Sequence, residues 1–594
     1  MEAVETANNA DSVTQESPVA ATPAVFRCNL PTVALYTVLV IAAWVGLELW
    51  GLGKAPFHTT GEPREGLVVW QMTHATGWRD LILPQRDGPT GWELPSKPPL
   101  FHWLAALTSL VHGSTDEWSI RFPSAALSLI AVLCIFAGGT ALWSPTAGLI
   151  AALTLMTTFE WARAATGARV DMTLTFGLQL AFLSLLFFLR SRATGWLIAL
   201  YVGITLAVLG KGPVGAVLPG LVALLMLALT RDLSFLRQMR LGYGALAVGV
   251  VAGSWYVMAL ILGGWQFFHK QVLAENLFTF FNSQDFGGGH RHPASYLLGA
   301  LLLGLLPWAV FLPGVGARLW RQRRQLSRHD PRLYLLVWIA VVFGFYAVAA
   351  SKRSVYLLAL YPAVALLLGW WWDEQYRAPV EDERWLARPL PFLGWVLMGL
   401  LGLTLLTVLL ESLGAPILAT VQRWLPLSAQ PFAACLSETM RTQRWLLLGL
   451  LVTAVGSLYA CIRAARAARW MEVFGGVFCT AAALIMSVCQ VLLPGIAQQL
   501  SFRDFMREVR QVVVPGDELL FFHAFEYGAV FYWQGHIPRY EGPWPTGAPR
   551  YLLVEKEEWD RMLPSVGNQY EQVTFADGTQ ATHGPLVLIR RIGQ

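Results

Sequence analysis

Three charged residues, Glu62, Arg64 and Glu65, stand within four positions of one another in GEPREGLVVWQM, residues 61–72. Lys97 precedes a Pro-Pro pair in SKPP (96–99), Asp171 opens an apolar stretch in GARVDMT, and Lys352, Arg353 and Tyr356 fall in SKRSVYLL (351–358). Carboxylates of this kind take the proton from an attacking hydroxyl or orient it. Lysine and arginine stabilise the charge that builds on a departing phosphate. Asp171 is the hardest to treat as surface decoration, because an ionised carboxylate at the start of an apolar helix is costly unless paired or functional.

The elements that must hold these residues are set by the solvent. Of 594 residues 55% are hydrophobic and 14% charged, mean hydropathy is +0.49, and Leu-rich runs recur throughout, the composition of a polytopic membrane protein. Thirteen runs are candidates to cross, near 32–52, 121–142, 146–165, 173–189, 194–210, 213–229, 243–263, 296–314, 333–350, 355–372, 389–411, 445–463 and 472–494. Several are only about seventeen residues long, near the lower limit for a crossing helix. The expected fold class is all-α and polytopic, with about 13 transmembrane helices. The net charge of +5 comes mostly from arginines in short loops and implies no nucleic-acid partner. The six cysteines show no CxxC spacing and read as packed thiols.

Loop charges set the sides. With a cytoplasmic N-terminus, the inner loops hold Arg190 and Arg192, then Arg231, Arg237 and Arg240, then RLWRQRRQLSRHDPR, then Arg463, Arg466 and Arg469, as the positive-inside rule requires. That parity holds only if LFHWLAALTSLVHG (100–113) does not cross; short and carrying His102 and His112, it suits an interfacial helix. Residues 1–30 then form a disordered cytoplasmic tail, 31–495 the transmembrane domain, and 53–120 its long first outer loop. Residues 496–594 form a small soluble extracytoplasmic α/β domain, with FRDFMREVRQVV and EKEEWDRML as helices and DELLFFH, RYLLVE and LVLIRRI as strands.

On this parity five separate loops bring carboxylates and cations to one outer boundary. A transferase whose donor is a sugar on a polyprenyl phosphate suits such a surface, since the lipid phosphate is both anchor and leaving group and no ATP is needed. Lys97 and Arg64 would stabilise the phosphate, and a carboxylate would act on the acceptor hydroxyl.

The stretches GEPREGLVVWQM, WELPSKPPLFHWLAAL, IRFPSAALSL, GARVDMTLTF, LGKGPVGAVLPGLVAL, PWAVFLP and SKRSVYLLALYP, in that order, resemble the bacterial branch of the GT-C glycosyltransferases. That branch contains the lipid A aminoarabinose transferases and is related to the protein O-mannosyltransferases. The resemblance runs from about residue 30 to 372 and implies a GT-C-like fold, an undecaprenyl-phosphate sugar donor and an outward-facing site in the bacterial inner membrane. It also implies an acceptor that is a lipid, glycan or protein. Lys97, Arg64, Asp171 and Tyr356 fit the family pattern. Gly61 stands where the family usually has Asp, Ser96 where an acidic residue often precedes the Lys, and Asn276 and Thr279 in ENLFTF where relatives carry His and Arg. Glu62 or Glu65 would then serve for the missing aspartate, no metal and no other cofactor is expected, and Arg291, Lys352 or Arg353 becomes a substitute phosphate ligand.

The expected site is therefore Glu62 and Asp171 as carboxylates with Glu65 in reserve, and Lys97, Arg64, Tyr356, Arg291 and Lys352 on the donor phosphate. Blander readings stand beside these. Arg64 and Glu65 make an ordinary surface pair, Lys97 snorkels to head groups, Lys211 before Gly-Pro anchors a helix end, and His290 and His292 belong to a solvated loop. The competing class is a transporter or flippase of lipid-linked sugars, which would place its polar residues near the midplane rather than at one boundary.

Overall fold

The computed structural model describes residues 30–232, 234–281, 291–377, 389–424, 430–514, 516–544, 549–576 and 585–592. Of the expected tail only Leu30 lies within them, and His290 lies outside. Among the described residues ten helices are long and apolar enough to cross a membrane, and an eleventh arises if Ala294–Gly304 and Trp308–Gln322, bent by 101°, count as one span. The other two of the thirteen runs contain the shorter apolar helices Pro145–Met156 and Val214–Thr230. The run 146–165 breaks because Thr157 and Thr158 turn their hydroxyls back onto the carbonyls of Leu153 and Thr154, which satisfies the helix end early. The chain is a multi-pass membrane protein.

Four features place the site. Helix α1 (Leu30–Trp44) comes first, and after it α2 (Gly61–Thr73) begins with Glu62 and Pro63 in its first turn, where a carboxylate meets the positive helix end and proline has no amide to lose. Next, α3 (Leu100–His112), an apolar helix of 13 residues, buries Phe101 and Ala105 and leaves Leu107, Leu110 and Val111 exposed. It leads into α4 (Glu117–Leu142), which a capping box starts: Asp116 accepts from the Ser119 amide and Ser119 returns the bond.

Helices α5 (Val170–Ser191) and α6 (Thr194–Lys211) pair closely, and α6 stops at Gly212, whose φ of +99° only glycine adopts without strain, followed by Pro213. That stop fixes Lys211 at the end of the span. The chain continues into α7 (Val214–Thr230) and α8 (Leu241–Phe267), and α8 runs on as a π-helix from Phe268 to Phe278. The most enclosed span holds α9 (Tyr361–Arg377), where Trp371 and Trp372 are buried against Phe311, Trp470 and Phe474. Between lipid-embedded helices such packing, rather than exclusion of water, supplies the attraction.

The C-terminal region builds one five-stranded sheet in the order β4-β3-β5-β7-β6. Its strands are β3 (Leu519–Phe522), β4 (Arg539–Tyr540), β5 (Tyr551–Glu555), β6 (Tyr570–Phe575) and β7 (Leu586–Arg591); β1 (Arg86–Gly88) and β2 (Gly91–Glu93) form a separate hairpin between α2 and α3. β3 runs parallel to β4 and β5, while β7 is antiparallel to β5 and β6. Helices α10 (Arg503–Val512) and α11 (Tyr527–Trp533) cover one face, and α12 (Lys556–Val566) the other through Trp559. Residue 496, the expected boundary, falls inside the helix Leu493–Leu500, and the break comes at Ser501.

This domain packs on α2. Phe531 of α11 occupies the notch at Gly66, where a Cβ would come within 2.8 Å of the ring. Tyr532 accepts from the Phe57 amide (2.8 Å) and donates to Glu117 (2.6 Å), and His536 meets Asp87 of β1 at 2.5 Å. Leu67, Val68, Phe101, Phe505 and Phe531 thus share one apolar core.

Candidate active site

Glu62 and Glu65 leave α2 one turn apart and go to different places. Glu62 takes two hydrogen bonds from Arg121 of α4, both at 2.8 Å, and a third from the Ala168 amide at 3.0 Å. Arg121 spends its remaining reach on the Leu52 and Ala55 carbonyls. Burial pushes the Glu62 carboxyl up, but the Arg121 charge and these hydrogen bonds outweigh it, so Glu62 titrates below its usual range. The clamp is closed, and Glu62 is not among the residues lining the cavity described next, whereas the sequence places it with the catalytic carboxylates.

That cavity holds about 940 Å³ and is lined by six cations, Arg64, Lys97, Arg169, Lys211, Lys270 and Arg353, against three carboxylates, Glu65, Asp171 and Glu275. An excess of cations in a partly enclosed site concentrates anions. The lining also includes apolar side chains, Val214 and Val217 of α7 with Phe280, Phe281, Phe345 and Val355.

Asp171 sits in the first turn of α5 and carries Lys211 on its Oδ1, with Arg169 Nε 3.9 Å from Oδ2. The Lys211 ammonium also lies 4.7 Å above the Tyr356 ring, which stacks on Tyr346. Lys211 is therefore a cavity residue, not merely a helix-end anchor. Glu65 meets His102 Nε2 at 2.7 Å and Arg64 at 3.6 Å. Burial raises the Glu65 carboxyl, yet the His102 hydrogen bond and charge, then Arg64 and Arg86, bring it down to about 2.

The π-helix supplies the third side. Gln271 donates to the carbonyls of Pro95 and Lys97 and so ties down SKPP, while Lys97 Nζ meets Glu275 Oε2 at 2.5 Å. Asn276 bonds the Gln271 carbonyl and Thr279 the Ala274 carbonyl, each five residues back, so both hold the wide helix turn. Such turns recur at functional sites. ENLFTF thus keeps its acid in the cavity and uses the two replaced positions for geometry.

The remaining expectations divide. Arg64, Lys97 and Tyr356 line the cavity. Lys352 does not: its ammonium donates to the Ala349 carbonyl at 2.6 Å, inside the fold. Arg291 pairs its backbone with Ser351 in an isolated antiparallel bridge and lies off the lining. Arg353 takes the place expected of them, with its Nε buried and without a hydrogen-bond partner among the described residues. Sequence reasoning missed Lys211, Glu275, Lys270 and Arg169 as lining groups. For Lys211 the signal was present, since the same parity that puts Asp171 at the outer boundary puts the end of α6 beside it. Among the described residues no three His, Cys, Asp or Glu side chains converge.

The crystal structure of ArnT from Cupriavidus metallidurans bound to undecaprenyl phosphate superimposes with a TM-score of 0.70 at 18% identity, over 94% of this chain and 98% of that one. The chain has the GT-C-like fold of that structure. A profile for the dolichyl-phosphate-mannose-protein mannosyltransferases matches residues 96–274 of this GT-C chain, from Ser96 through the π-helix. The undecaprenyl phosphate-alpha-4-amino-4-deoxy-L-arabinose arabinosyl transferase 1 of Sodalis glossinidius is 30% identical over 52% of the chain and 55% of its own length. Its counterpart in Pseudomonas fluorescens is 26% identical over 56% of each. The chain spans about half the length of these two curated relatives. The resemblance read from the motifs holds for both sequence and fold.

Proposed function

We propose that this protein is an integral-membrane glycosyltransferase that moves a sugar from a polyprenyl-phosphate donor to a lipid, glycan or protein acceptor. The observation that carries the reading is one cavity lined by both an excess of cations and a set of apolar side chains, the two kinds of contact a polyprenyl phosphate needs. Arg353, Arg64, Lys97 and Tyr356 hold the donor phosphate, and the prenyl chain leaves along Val214, Val217 and the phenylalanines. The phosphate draws Lys211 away from Asp171 and frees that carboxylate for the acceptor hydroxyl. The hydroxyl oxygen then attacks the anomeric carbon from the face opposite the phosphate, its proton passes to Asp171, and the carbon–phosphate-oxygen bond breaks with inversion. Polyprenyl phosphate departs with one more negative charge, which the cations stabilise. Glu65, fixed by His102, orients Arg64; Glu62 acts only through Arg121 as a positioning residue.

The positive-inside distribution supports a cytoplasmic N-terminus, with the cavity and the C-terminal domain on the outer face of the bacterial inner membrane. The donor of the two arabinosyl transferases makes undecaprenyl-phosphate aminoarabinose the first donor to try, ahead of hexosyl donors. The test is release of free polyprenyl phosphate from a panel of such donors by the purified full chain in detergent, with Asp171→Asn as control. Release that needs Asp171 is the expected result. Absence of release from every donor, with lipid-linked sugar still crossing liposome membranes, would instead assign the protein to transport.

A further inference from the structure

Helix α6 has a second occupied end. Away from Lys211, a cavity of about 550 Å³ opens between α6 and α8. Its walls are Leu197, Ile198, Val202 and Leu206 from one helix and Ala247 and Val251 from the other. Tyr201 closes its floor: its hydroxyl donates to the Met239 carbonyl at 2.7 Å, and its ring fills the space beside Gly244, where a Cβ would come within 1.9 Å. The Tyr201 ring can take this position only because residue 244 has no side chain.

One end of this groove is polar. Thr194, Arg240 and Tyr243 stand there together; Arg240 is exposed, and its side chain has no partner among the described residues, whereas neighbouring Arg192 is paired with Asp232 at 2.7 Å. From Thr194 to Leu206, and from Arg240 to Val251, the walls extend about 16–18 Å along the helices, roughly half of a hydrocarbon core about 30 Å thick. A cation at the mouth of an apolar slot one leaflet deep, with a tyrosine beside it, matches a phospholipid in charge, length and amphipathic order.

We propose that this groove retains one acidic phospholipid of the leaflet opposite the catalytic cavity. Its phosphate rests on Arg240 and one acyl chain lies between α6 and α8. The site is independent of the glycosyltransferase reading and shares none of its residues.

Native mass spectrometry of the purified full chain, incubated with phosphatidylglycerol or phosphatidylcholine, tests it. One retained phosphatidylglycerol is expected, at about tenfold lower concentration than phosphatidylcholine requires. Arg240→Glu is expected to cost about tenfold in that retention, and Ala247→Trp, which fills the slot, to abolish it. Lys97→Ala, in the other cavity, leaves it unchanged. Equal retention of the two lipids, full retention by Arg240→Glu, or loss in Lys97→Ala would overturn the proposal, and Arg240→Glu decides if Ala247→Trp does not fold.

Discussion

The Glu62–Arg121 clamp and the Asp171–Lys211 pair use the same ingredients, a carboxylate and a cation from different helices at one end of the bundle, with opposite results. Around Glu62 two guanidinium bonds and a backbone amide occupy most of the carboxylate's acceptor sites, and Arg121 also donates to two carbonyls. Around Asp171 a flexible lysine holds one oxygen, the nearest arginine stands 3.9 Å from the other, and both open on the cavity. A bidentate, dry pair fixes structure; a monodentate pair beside a void can exchange partners.

The largest effect is expected at the open pair. Asp171→Asn lowers turnover about 10²–10⁴-fold, the range for loss of a general base, while the unfolding temperature in detergent stays close to that of the parent. Full turnover in this variant would remove the distinction between the two pairs. The closed pair fails differently: Arg121→Ala strands a buried carboxylate, and such losses run to about 3–5 kcal/mol. Thermal unfolding should show this, with residual activity tracking the folded fraction. Glu62→Gln that abolished turnover at unchanged unfolding temperature would put Glu62 back in the chemistry.

Arg353→Ala is expected to weaken donor binding by about ten- to a hundredfold, the worth of one hydrogen bond to a charged group, seen as a higher KM at similar kcat, whereas Lys352→Ala leaves KM alone. Acid sharpens the picture at Glu65. Its folded value near 2 lies below its ordinary 4.5, so its stabilisation is complete above pH 4.5 and is lost as pH falls toward 2. Glu65→Gln should therefore lower stability at neutral pH and flatten the acid limb of the profile, the two proteins converging as pH falls toward 2. The smallest effect is expected at the exposed Arg590–Glu571 pair of the sheet, where Glu571→Gln shifts stability by under about 1 kcal/mol.

The contrast also shows what a sequence displays. Each of the thirteen apolar runs contains an apolar helix, and loop arginines sorted the polar stretches onto the boundary where Asp171, Lys97 and Arg64 meet. The strands after β3 were legible where apolar runs were long, as in β5 and β7, but not in the two-residue β4 or in β6, whose polar residues face outward. What stayed hidden was pairing. Lys97 finds Glu275 across 178 positions, and nothing in SKPP announces it. Lys352 and Arg353 are chemically similar neighbours, and only the turn into the short helix at Ser354 sends one into the fold and the other into the cavity. The π-helix was invisible for a related reason, since its extra residue per turn is held by Asn276 and Thr279, which sequence comparison presents simply as losses.

Phe531 in the notch at Gly66 and Tyr532 on the Phe57 amide, 475 positions apart, tie the helix that carries Glu62 and Glu65 to a domain the ribosome makes much later. During synthesis every span can be inserted while α2 still lacks its seat. The candidate site then matures only after translation has passed residue 532, and a chain cut short within the C-terminal domain would be integrated with α2 unseated, a target for surveillance proteases despite an intact membrane bundle.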